Sequence, residues 1–313
     1  MTLREQESLT AVSGSPPRES LARCAARARL RGDPMLGSAF PAARLLLVEQ
    51  PGPWGRDGLR TSGFDPEVAA ALERRGNAEG VRVQAIRSTG RTGRGLPRRW
   101  AVADCRDGRE SLRWGTFERD AELLDLPLDG SMGEADSAPL YLVCAHSKHD
   151  LCCAMLGRPV AAAIEQARPG RVFECSHLGG DRFAANVLVL PVGLLYGQVP
   201  AVAVPEFVAV AEADEVLTTL LRGRVGLPPV AQAALAFGYE QLALHRRSAL
   251  RVESATRIVD GVAVVRLAGP SGVLEVTVAV EKVAADGLTC ANPRPNHYLH
   301  YRPVSVVTVH GQS

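Results

Sequence analysis

Two stretches of the chain share one order of elements, strand, helix, strand, strand, and that repetition restricts the fold more than any single residue does. The first opens at "ARLLLVEQ", an apolar run with the length of a buried strand, stopped by the breaker "PGPWG". "DPEVAAALERRG" then supplies a cap at Asp65, a proline at the first helical position in Pro66 and a stop at Gly76, which predicts a helix. "VRVQAIR" and "RWAVADC" follow as strands. After a polar stretch containing "DGSMGEADSAP", the order returns: "PLYLVCAH" as a strand, "GRPVAAAIEQAR" as a helix, "RVFECS" and "ANVLVLP" as strands, and "GLLYGQV" as a short extended return.

The pattern predicts an α/β fold made of two thioredoxin-like β-α-β-β units, at 41–116 and 139–203, with 117–138 as the connection. Residues 1–40, rich in Arg, Ser, Pro and Ala, read as a mobile arm in which "ESLARCAARARLR" offers a short helix and Cys24 has no role. Residues 204–313 are predicted to hold two helices up to residue 247, parted at "GRVGLPP", and then antiparallel strands that cover the second unit. "GRTGRG" at 90–95 has neither a following helix nor the Lys-Ser/Thr pair of a phosphate loop, and reads as a basic turn.

Hydrophobic residues make up 46% and aromatics only 5%, so the interior must be built from Val, Leu and Ala. The 36 basic and 34 acidic residues are interspersed, without the basic stripe that nucleic-acid binding needs. All basic residues but Lys148 and Lys282 are arginine, a bias that suggests a GC-rich bacterial genome. No apolar run reaches the roughly 18 residues of a membrane span, and the first 30 residues lack the apolar centre of a signal peptide, so a cytoplasmic protein without a membrane partner is expected. Neither a G-x-S-x-G elbow nor H-E-x-x-H is present, and no carboxylate pair can be singled out with acid and base roles.

Seven cysteines is an odd number, and Cys144, Cys152, Cys153 and Cys175 fall within 32 residues. In a reducing compartment such clustering points to metal or redox chemistry rather than a disulfide framework. Cys144 ends a strand and Cys153 opens the next helix, so a loop of eight residues places both thiols at one rim, wider than the gap of a thioredoxin dithiol or a zinc knuckle. "ECSHLGGDRFAAN" puts Cys175 and His177 at a strand end, before Gly179, Gly180 and Asp181; paired glycines permit positive φ and a close approach of backbone to a bound group. In the first loop His146 and His149 are expected to be solvated or hydrogen-bonded, Asp150 to cap the helix that begins near Cys152, and Cys152 to pack. Asn186 is expected to fix the second loop through backbone hydrogen bonds.

"C-A-H-S-K-H-D-L-C-C" followed by "H-L-G-G-D-R-F-A-A-N" resembles the sucrase/ferredoxin-like family, whose members carry a thioredoxin-like [2Fe-2S] ferredoxin domain. The likeness runs from about Leu140 to Val199, and "LLLVEQPGPWG" resembles the family's bacterial branch. Its relatives hold the cluster by two cysteines spaced C-x8-C and two histidines spaced H-x3-H around a Gly-Gly pair. By position the resemblance assigns Cys144 and Cys153 to one iron and His177 to the other, with Gly179 and Gly180 beside them, and Asp181 stands where the second histidine would be. Imidazole ligands raise such potentials, to about −150 to +300 mV in Rieske centres against about −400 mV for plant-type clusters, so a carboxylate ligand should lower them. Asp181 could instead orient His177 while Cys152, Cys175 or Cys290 provides the fourth bond. The resemblance implies an electron carrier between a reductase and an acceptor, with Lys148, Arg158 and Arg182 available to steer an acidic partner. The residues alone also allow a thiol-disulfide protein using Cys144 with Cys152 or Cys153, a zinc site at the same four donors, or a scaffold without a cluster that binds partners only.

Overall fold

Helix α1 (Cys24–Arg31) leads into the chain and is not a free arm: Cys24, Ala25 and Ala28 on one of its faces are buried. Its contacts are tertiary, made with segments more than a hundred residues away, so nothing local in the arm announces them. The computed structural model describes residues 23–90, 95, 97–270, 272–292 and 294–309; residues 1–22 of the expected arm and 91–94 of the basic turn lie outside these.

The first half contains β1 (Arg44–Glu49), α2 (Pro66–Glu79), β2 (Val81–Ser88), β3 (Arg98–Asp104) and β4 (Ser111–Phe117). Helix α2 starts where expected, with Asp65 accepting the amides of Glu67 and Val68, but it runs past Gly76 to a left-handed cap at Gly80. Gly76 serves packing instead: a Cβ there would lie 2.5 Å from the Val81 carbonyl oxygen. The stretch 117–138 is more than a connection, because Leu123, Leu126 and Leu128 are buried in the core of the first half and β5 (Glu134–Asp136) extends the sheet beside β4.

The second half repeats the order with β6 (Leu140–Cys144), α3 (Leu151–Ala167), β7 (Val172–Cys175), β8 (Val187–Leu190) and β9 (Leu194–Tyr196), then α4 (Val204–Glu212). In each half the strand before the helix pairs parallel with the strand after it and antiparallel with the next, β1 with β2 and β3, β6 with β7 and β8. The halves join through β2 and β7, antiparallel with Ile86 opposite Cys175, into one sheet ordered β10-β9-β8-β6-β7-β2-β1-β3-β4-β5, where β10 is Leu221–Arg224. Alternation along the strands divides the core. Leu46 and Val48 pack with α2, Tyr141 and Val143 pack with α3 and α4, and Leu45, Leu47, Leu142 and Cys144 share a third cluster common to both halves.

The segment 204–247 differs from the two helices expected, because strand β10 (Leu221–Arg224) forms between α4 and α5 (Pro229–Gln241) and pairs with β9. Arg222 and Arg224 are both buried, and their charges hide the strand from a hydrophobicity reading. Strands β11 (Arg251–Ala255), β12 (Val262–Gly269), β13 (Gly272–Ala285) and β14 (Asn296–Val309) make a separate antiparallel sheet in that order, which packs on α5. The loop between β13 and β14 reaches back to α1, where Arg31 donates to the Asp286 carbonyl at 3.0 Å. Among the described residues no helix is long and apolar enough to cross a membrane.

Candidate metal centre

Cys144 closes β6 and Cys153 stands in the first turn of α3. That helix begins where it does because the Asp150 carboxylate accepts the Cys152 amide at 2.8 Å. It lies close against the strand end: a Cβ on Gly157 would be 2.1 Å from the Cys144 carbonyl oxygen. The two thiols are thereby fixed from opposite sides of the loop, both fully buried. His177 arrives from the end of β7, and one of its ring nitrogens lies with the Cys144 and Cys153 sulfurs in a group whose members are all within 4.8 Å of one another.

Asp181 completes the constellation. Its Oδ1 is 3.2 Å from the Cys153 sulfur and 3.0 Å from His177 Nδ1. The imidazole nitrogen is buried and poorly aligned for a hydrogen bond, with the Asp181 carboxylate as its close ion-pair contact. A buried imidazole nitrogen in poor hydrogen-bond geometry beside two thiols and a carboxylate is a donor set that suits a metal. His149, expected to be solvated or hydrogen-bonded, is partly buried and hydrogen-bonded to the Arg56 backbone; it also stacks its ring on His177 at 3.7 Å and 20° and forms a second group of possible ligand atoms with His177 and Asp181.

Electrostatics separate the donors into charged and neutral ones. Cys144 is held well below the ordinary thiol range, chiefly by the Cys153 S–H directed at it and against the effect of burial, and Cys153 is correspondingly pushed up. Burial works against charging His177, but the Asp181 carboxylate and the Cys144 sulfur lift it to about 9. Burial likewise opposes ionisation of Asp181, and His177 holds it below its usual value. His149 is lowered by burial, which keeps its ring neutral and able to donate a lone pair.

The glycine pair takes the conformation expected of it, with φ of 79° at Gly179 and 68° at Gly180, both left-handed. It is held by Arg222, a residue unmarked in the sequence. The fully buried guanidinium donates through Nη1 to the Gly179 carbonyl and to Asn186 Oδ1, both at 2.8 Å, through Nη2 to the Ser38 carbonyl at 2.7 Å, and through Nε to Ser38 Oγ at 3.1 Å. Asn186 Nδ2 in turn donates to the Gly180 carbonyl at 3.0 Å. A Cβ on Gly180 would fall 2.5 Å from the guanidinium, so glycine is required there twice over.

The first half supplies the cover. His146 is buried, its Nε2 at 2.5 Å from the Gly55 carbonyl and its ring edge-on to Trp54, both from the loop after β1. Arg82 on β2 donates to the His177 carbonyl at 2.8 Å. A cavity of about 210 Å³ lined by Arg56, Arg82, His146, His149, Ser176 and His177 opens at the imidazole side, and neither thiol lines it.

The structure therefore brings Cys144, Cys153, His177 and Asp181 together with Gly179 and Gly180 beside them. Of the other sulfurs considered for the fourth bond, Cys175 lies in register with Cys144 but outside the donor group, and Cys152 and Cys290 belong to a different group. Arg182 is not a steering charge: it is buried, 3.1 Å from the Asp33 carboxylate, with its guanidinium over the Phe183 ring. Lys148 and Arg158 are exposed. A buried Cys/His/Asp group compatible with metal binding is thus present.

No curated protein and no solved structure matches the chain. A model of the sucrase/ferredoxin-like family does match, over residues 35–223, more than half of the 313 and inclusive of both β-α-β-β halves, the two ligand loops and Arg222. The chain belongs to the sucrase/ferredoxin-like family.

Proposed function

We propose that this protein holds a [2Fe-2S] cluster in its second half and passes single electrons between a reductase and an acceptor protein. The observation that carries the reading is the meeting of two buried thiols and an imidazole within 4.8 Å of one another, delivered by a strand end, a helix start and a Gly-Gly loop. Cys144 and Cys153 would hold one iron and His177 the other, with Asp181 as the fourth ligand. Bound there, the cluster supplies reversible one-electron exchange.

The chain's own residues do the rest. Burial of both sulfurs keeps water from the thiolate side, while the stacked His149 and His177 rings leave the imidazole side open through the cavity. Arg222 fixes the Gly-Gly loop and places a positive charge behind an anionic donor set. Around the opening, the exposed Arg56 and Lys148 present positive charge to an acidic partner surface. The seven free cysteines suit a reducing cytoplasm.

One observation favours a second reading: the three donors within 4.8 Å of one another would also converge on a single tetrahedral zinc ion. Protein purified without oxygen decides between the two. Brown protein with about two irons and two acid-labile sulfides per chain is expected. Colourless protein that takes up neither on anaerobic reconstitution overturns the cluster.

The ligand set makes a further prediction. Asp181→His restores an imidazole at the second position and should raise the midpoint potential in protein-film voltammetry by on the order of 100 mV. An unchanged potential, with loss of colour in His149→Ala, would move the fourth bond from Asp181 to His149.

A further inference from the structure

Three cysteines that the electron-transfer site does not use converge on one point. Cys290 Sγ is 3.4 Å from Cys24 Sγ and 3.4 Å from Cys152 Sγ. Asp150 closes the fourth side, its carboxylate oxygens 3.6 and 3.7 Å from the Cys24 sulfur, and all four ligand atoms lie within 4.8 Å of one another. Cys24, Asp150 and Cys152 are buried and Cys290 is partly so.

We propose that Cys24, Cys152, Cys290 and Asp150 form a second, structural metal site that binds one zinc ion. The sulfurs sit symmetrically about Cys290 at a separation suited to thiolates around a common ion, where a disulfide would single out one pair at about 2.05 Å. Three thiolates and a carboxylate make a closed four-coordinate set without room for substrate, the mark of a structural zinc site. Backbone amides support charge on the sulfurs: the Cys24 N–H points at the Cys290 sulfur at 3.4 Å, and the Ala25 N–H at that of Cys152. The carboxylate is aimed by two further amides, those of Cys152 at 2.8 Å and Cys290 at 2.6 Å, as outer contacts aim ligands in metal sites. On binding, the three S–H protons leave to solvent and no electrons are exchanged.

The site has a mechanical purpose visible in where its ligands come from. Cys24 is on α1, Asp150 and Cys152 begin α3, and Cys290 lies in the loop between β13 and β14. That loop has no regular structure of its own, and Leu288 is its buried apolar anchor among the described residues. One ion would therefore tie the beginning, middle and end of the chain together at the helix that also carries Cys153.

The test uses the whole 313-residue chain, purified without oxygen and supplied with zinc chloride, with zinc, iron and acid-labile sulfide measured on the same sample. About one tightly held zinc per chain is expected, with a zinc-edge X-ray absorption spectrum showing sulfur neighbours near 2.3 Å. Cys24→Ser and Cys290→Ser should each lower retained zinc at least about 10-fold and leave iron, sulfide and the visible spectrum unchanged. Wild-type protein that retains no zinc, zinc that persists in both variants, zinc lost with Cys144→Ser instead, or a disulfide among Cys24, Cys152 and Cys290 in peptide maps of the anaerobic protein would each overturn the proposal. The absorption spectrum of the wild type decides the matter even where a variant fails to fold. Iron and sulfide report the first site and zinc the second, so failure of either reading is seen separately.

Discussion

Cys153→Ser is expected to yield colourless protein, whereas Cys152→Ser, one residue earlier, is expected to yield brown protein. The two side chains leave α3 about 100° apart, as successive helical residues must, and the structure sends them to different destinations. Cys153 faces Cys144 and Asp181, while Cys152 faces Cys24 and Cys290. A serine oxygen at position 153 is harder and far less acidic than the thiol it replaces, and under the proposed ligation it removes one of two sulfurs on the same iron. Loss of an iron ligand should exceed the roughly 10–100-fold effect of changing an outer contact, so iron, sulfide and visible absorption should vanish together. A brown Cys153→Ser protein would remove Cys153 from the ligand set. A colourless Cys152→Ser protein would place Cys152 in it and merge the two sites.

Arg222→Met should cost more stability than any surface change and loosen the metal centre as well. Methionine restores most of the packed volume but none of the donors, leaving the Gly179 and Ser38 carbonyls and Asn186 Oδ1 without the guanidinium. Each buried acceptor left unpaired costs about 1–3 kcal/mol, so a loss of roughly 3–5 kcal/mol is expected. Melting followed by scanning calorimetry should fall by on the order of 10 °C. The released Gly179–Gly180 turn should also shed iron faster on exposure to a chelator. Arg222→Lys keeps the charge but cannot span the same partners with one ammonium, and should recover only part of either effect. A melting temperature within about 2 °C of wild type would show that Arg222 does not hold the loop.

The order of elements in both halves was legible because buried strands and capped helices leave local marks: "LYLVC" is apolar throughout, and Asp65 and Asp150 cap the helices they precede. Cys144, Cys153 and His177 stood out through the resemblance of their two loops to the family's motifs, and each lies at or near the end or start of such an element. Arg222 and Arg224 carry no such mark. They lie in a strand whose guanidinium donors are satisfied by distant partners, Ser38 and the Gly-Gly loop for one and the carboxylates of Asp107 and Glu110 for the other. Arg182 misled for the same reason, because its partner Asp33 lies in a segment that read as a mobile arm. Cys24 and Cys290 meet across 266 positions, a separation at which neither composition nor periodicity says anything.

The seam between β2 and β7 has a practical consequence for anyone who would trim this protein to the half that carries the candidate metal centre. A fragment of residues 139–203 would leave behind the strand that pairs with β7, the Gly55 carbonyl that receives His146, and Arg222. Its severed border would offer bare backbone amides and carbonyls to the next copy, an invitation to fibrous self-association rather than a minimal redox module.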